Sequence, residues 1–78
     1  MQLVMSKDAV LIELLSESLN AKSLDRRCAA KFLLDSLRAG LPAEDIVEQI
    51  QEAEHGSASD FAAHARGLGV RLGVLTKP

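Results

Sequence analysis

With 78 residues the chain can hold one small domain, and its single cysteine, Cys28, leaves no pair for a disulfide within it, which favours a reducing, cytoplasmic setting. A formal charge of -2, from 9 basic and 11 acidic residues, lacks the basic excess of nucleic-acid binders. Two Phe with no Trp or Tyr also remove stacking platforms for single strands and aromatic grooves for proline-rich peptides.

Hydrophobic residues make up 47% of the chain, enough to fold. The expected architecture is all-α: a bundle of about four short helices spanning one domain, 1–78, with extended N- and C-terminal arms able to form a minor β pairing. Its N-terminal arm is "MQLVM", apolar and β-tolerant. Ser6 then reads as a cap for a helix over 7–20, with Asp8 favourable in the first turn. Val10, Leu11, Ile12, Leu14, Leu15 and Leu19 sweep about half of its wheel, wider than the roughly 100° stripe of an ordinary surface helix. Glu13, Ser16, Glu17 and Asn20 fall to solvent. The run "AVLIELL" is broken by Glu13 and far shorter than the roughly 20 residues of a membrane span, and no cleavage-like site follows it. Neither a signal peptide nor membrane insertion is expected.

Ser23 is the next cap, for a helix over 24–39. Leu24, Cys28, Ala29, Ala30, Phe32, Leu33, Leu34 and Leu37 occupy most of that wheel, against a narrow charged stripe in which Lys31 and Asp35 pair at i,i+4. A helix this apolar needs cover on more than one side and belongs at the centre. Gly40 ends it and Pro42 opens a helix over 42–55. Ala43, Ile46, Val47, Ile50 and Ala53 face inward there, with Glu44, Glu48 and Glu52 opposite. Gly56 stops it, and "SASD" signals a short fourth helix over 58–66 through Ser57 or Ser59.

The stretch "RGLGVRLGVL" that follows admits two readings. Phe61, Ala65, Leu68, Leu72 and Leu75 form a helical seam, while Val70, Leu72 and Val74 alternate as a strand does. Gly67, Gly69 and Gly73 would each weaken a helix by about 1 kcal/mol. That loss favours Gly67 as a helix terminator and residues 67–78 as an extended arm.

No pattern specifies an enzyme. Cys28 sits on the apolar arc with Leu24 and Phe32, as a small core residue rather than a nucleophile. Glu52 and His55 form one Glu-x-x-His step, where a di-metal bundle needs two such steps and two further glutamates. Asp60 and His64 add only an i,i+4 pair. "GLGVRLG" does not lead from a strand into a helix, so it is no phosphate loop. No metal and no cofactor are expected.

The apolar surplus of the first two helices points instead to association. The expected function is a non-enzymatic regulator, a homodimer that binds and inhibits or redirects a larger protein. Leu11, Leu15 and Leu19 would self-associate. Leu68, Val70, Leu72, Val74 and Leu75 would offer a partner-binding arm, and Glu44, Glu48 and Glu52 an acidic partner face. The alternative is a dimeric helix-turn-helix DNA-binding regulator built from 24–39 and 42–55, in which Ser36, Gly40, Leu41 and Ile46 match the turn. Against it, the reading helix would turn Glu44, Asp45, Glu48 and Glu52 toward phosphates, with only Gln49 and Gln51 suited to base edges.

Overall fold

A computed structural model describes residues 6–75 and contains four helices and no strand among them. Helix α1 spans Lys7–Asn20, α2 Leu24–Arg38, α3 Ala43–His55 and α4 Ser59–Arg71. The all-α class and the count of four follow the hydrophobic periods. The stretch "MQLVM" and residues 76–78 lie outside the described residues, and so do the N-terminal arm and its possible β pairing.

The first two helices begin where side-chain caps place them. Ser6 Oγ accepts from the Ala9 N–H at 3.2 Å, and Ser23 Oγ from the Arg26 N–H at 3.0 Å. Arg27 Nη1 donates to the carbonyls of Ala21 (2.7 Å) and Lys22 (3.3 Å), two acceptors just past the end of α1. Gly40, at φ +78°, closes α2: its N–H donates to Leu37 and that of Leu41 to Ser36, both at 3.1 Å. This pair of reverse bonds is the Schellman motif, and it requires the left-handed conformation that glycine adopts without strain. Pro42 precedes α3 as its cap, while Gly56 follows it.

The start of α4 differs from expectation. Ala58 is the capping position and no side chain caps the helix, so neither Ser57 nor Ser59 plays that part. The end of α4 differs more. The helix runs through Gly67 and Gly69 to Arg71, five residues past 66, and the extended arm predicted over 67–78 is absent among the described residues. Gly73, at φ +75°, is the terminator in place of Gly67. The Gly73 N–H donates to Val70 (3.1 Å) and the Val74 N–H to Gly69 (2.8 Å), repeating the motif that ends α2. The chain therefore folds back at Gly73 and lays Leu75 over the last turns of α4.

Packing explains why the glycines do not break the helix. Leu68, Leu72 and Leu75 are all buried. Burying one leucine side chain is worth about 1.5–3 kcal/mol, so three outweigh the roughly 2 kcal/mol that Gly67 and Gly69 cost the helix. Gly69 has a positive reason as well: a Cβ there would lie 2.7 Å from Leu75 Cδ1 and 2.8 Å from Leu75 Cγ. Only a residue without a side chain admits Leu75 at that distance.

The helices pack in the order α1 on α2, α2 on α4, α4 on α3. Leu14, Leu33, Ile46 and Ile50 are the large side chains wholly removed from solvent. Fully buried Ala29, Ala30, Ala62 and Ala65 are small enough to let helix backbones approach closely. Phe32 and Phe61 meet edge to face across α2 and α4, ring centres 5.5 Å apart. Covered on one side by α1 and on another by α4, α2 occupies the central place its composition demands.

Candidate interaction surface

Helix α1 has only α2 as an extensive neighbour, so one half of its wide apolar arc is covered and the other is not. Val10 and Leu14 turn into the core. Ile12 (69% exposed), Leu15 (50%) and Leu19 (70%) turn outward, within about 60° of arc at 100° per residue. Leu24, at the start of α2 and 66% exposed, adds a fourth large side chain at the end where Leu19 lies. Of the predicted trio, Leu15 and Leu19 are on this face, whereas Leu11 is half-buried against the core. Ile12 takes its place, and the wheel held that signal: residue 12 projects beside residues 15 and 19.

The residues predicted for the C-terminal arm are spent within the chain. Leu68, Leu72 and Leu75 belong to the core, and Val70 and Val74 pack half-buried against it. Glu44, Glu48 and Glu52 are exposed along the outer side of α3, beside Asp45. Cys28 is exposed rather than buried with Phe32, on a face of α2 shared with Leu24, Lys31 and Asp35. It faces away from the core because α1 and α4 cover the other sides of α2. The Lys31–Asp35 ion pair forms at 3.6 Å. His55 and Glu52 are both exposed, and no group of three or more metal-ligating side chains occurs among the described residues.

Two charged ties were not legible in the sequence. Glu17, expected in solvent, has a side chain only 16% exposed and accepts from Arg26 Nη2 at 2.8 Å; Arg71 Nη2 lies 3.5 Å from the same carboxylate oxygen. It thus links α1, α2 and α4. The hydrogen bond from Arg26, then the positive charges of Arg26 and Arg71, hold the Glu17 carboxyl below its ordinary value of 4.5, against the opposing effect of burial. Glu54 accepts two bonds from Arg66, at 2.8 and 3.0 Å, joining α3 to α4. Its carboxyl is likewise lowered, chiefly by the Arg66 hydrogen bond, and the Arg66 guanidinium is raised by the same contact. Residues 9, 12 and 54 positions apart give no local pattern from which such pairs could be read.

No helix among the described residues is long and apolar enough to cross a membrane. Comparison with family models, with curated proteins and with solved structures returns no match.

Proposed function

We propose that the chain is a non-enzymatic interaction protein that forms a homodimer through the outer face of α1 and, so assembled, binds and inhibits or redirects a larger protein. The supporting observation is the exposed stripe of Ile12, Leu15 and Leu19 on a helix whose other face is already packed. Contiguous apolar surface of this kind on a small domain marks an association site.

A second copy suits the stripe because the stripe is self-complementary. Two α1 helices crossing antiparallel at Leu15 set Ile12 of each copy beside Leu19 of the other. A two-fold axis through Leu15 makes that contact twice. The carboxylates of Glu44, Glu48 and Glu52 lie on α3, a helix that does not pack extensively on α1. They remain for a basic surface on the larger protein.

Sedimentation equilibrium tests the dimer. The wild-type chain is expected at twice 8.4 kDa at micromolar concentration, and Leu15→Lys at the monomer mass with its helical circular dichroism intact. A wild-type chain that stays at 8.4 kDa sinks the reading.

A further inference from the structure

A feature apart from the apolar stripe points to a ligand. A cleft of about 270 Å3 is lined by Arg26, His64, Gly67 and Arg71, together with Ala63 and Leu68. Arg26 and His64 also line an adjoining hollow shared with Glu17, Lys22 and Ser23. Two guanidinium groups thus converge where a single carboxylate, that of Glu17, answers them. In a chain of net charge -2 this leaves a local positive excess, with Lys22 beside it.

Both guanidinium groups are positioned to do more than hold Glu17. The Arg26 side chain is 41% exposed and that of Arg71 55%. A guanidinium carries five N–H donors in a planar fork, and the hydrogen bond to Glu17 engages Arg26 through Nη2. Other edges of the fork are open to an acceptor in the cleft. The Glu17 carboxylate, 2.8 Å from Arg26 Nη2 and 3.5 Å from Arg71 Nη2, takes up one edge of the pair and competes with any other acceptor for it.

Gly67 is the second observation. Of the other glycines, Gly40 and Gly73 adopt positive φ, Gly69 admits Leu75, and Gly56 lies outside the helices as the residue that ends α3. Gly67 is helical, and a Cβ there would meet nothing within 4 Å. Nothing in the chain's own packing requires the residue that most weakens a helix after proline. What Gly67 does is keep the wall of this cleft bare beside Arg26 and Arg71.

We infer that the cleft binds a small oxyanion, a phosphate or carboxylate group, between Arg26 and Arg71 and against the bare backbone of Gly67. The site is independent of the dimer face. The test is to titrate the 15N-labelled full chain with inorganic phosphate, and in a second arm with acetate, at constant ionic strength. Saturable shifts confined to Arg26, His64, Gly67 and Arg71 are expected. Tighter binding of phosphate assigns a phosphate group and equal or tighter binding of acetate a carboxylate; either upholds the site. Arg71→Ala should weaken binding about tenfold, the worth of one charge-assisted contact. Gly67→Gln should weaken it while keeping helicity, which a purely structural glycine would not do. Glu17→Gln should tighten it by removing the competing carboxylate, whereas Glu44→Gln, the same charge change on α3, should not. Shifts that never saturate, that scatter over Lys7, Lys31 and Arg38, or that survive Arg71→Ala unchanged overturn the site.

Discussion

Helix α1 and the C-terminal segment from Leu68 to Leu75 both carry leucines at helical spacing, yet they use them in opposite ways. In α1 the side chains of Ile12, Leu15 and Leu19 point out, because α2 alone packs extensively on that helix. In the C-terminal segment Leu68, Leu72 and Leu75 point in, because α4 lies between α2 and α3 and Gly73 turns the chain back over it. Periodicity identifies which residues share a face. Only the number of neighbouring elements decides whether that face is covered.

The sharpest way to break the comparison is to truncate one leucine from each region. Leu72→Ala removes a side chain that is 8% exposed and should destabilise the fold by about 2–4 kcal/mol, read as a lowered denaturant midpoint. Leu15→Ala should cost the monomer less than about 1 kcal/mol, since half its surface already meets water. Equal losses for the two in a dilute, monomeric sample would contradict the assignment of inside and outside.

The two helical glycines of α4 sharpen the inward half of the comparison at smaller amplitude. Gly69→Ala places a Cβ 2.7 Å from Leu75 and should destabilise by about 1–2 kcal/mol despite the gain in helix propensity. Gly67→Ala meets no neighbour and should stabilise by up to about 1 kcal/mol. Thermal melts of the two variants on opposite sides of wild type are the expected result. Shifts of the same sign would mean that Leu75 does not rest on Gly69.

The smallest effect concerns the tie between the two regions, Glu17 of α1 with Arg26 and Arg71. Because the Glu17 carboxyl is lowered in the folded chain, its contribution is fully present above its ordinary value of 4.5 and is lost as pH falls through the folded value. Ion pairs this close to solvent are worth about 1 kcal/mol or less. Glu17→Gln should therefore melt slightly below wild type at pH 7, with the gap closing in the acid range below 4.5. A gap that widens on acidification would contradict the pairing.

Much of this was legible in the sequence, for identifiable reasons. The first three helices lie close to the spans that caps and glycines suggested, since Ser6, Ser23, Gly40 and Pro42 act through local backbone geometry. The central place of α2 followed from an apolar wheel that no single neighbour could cover. Helix propensity alone misplaces the C-terminal segment, because it omits the burial of Leu68, Leu72 and Leu75 that offsets the glycines. Gly69 reads as a helix breaker in the sequence because the contact that requires it, Leu75 lying across it, comes from a fold-back that periodicity does not encode. Cys28 and Leu24 fall on the apolar arc of the wheel, but a central helix in a bundle of four still keeps one strip in water. Glu17 reads as a solvated charge on its own helix because its partners, Arg26 and Arg71, lie on other helices.

The dimer is defined by which leucines meet a second copy. Isotope-filtered NOE spectra of a mixture of 13C-labelled and unlabelled chain read that contact directly. Intermolecular NOEs among the methyl groups of Ile12, Leu15 and Leu19, with none from Leu68, Leu72 or Leu75, are the predicted result. Intermolecular NOEs from the C-terminal leucines, with the α1 methyl groups silent, would contradict it.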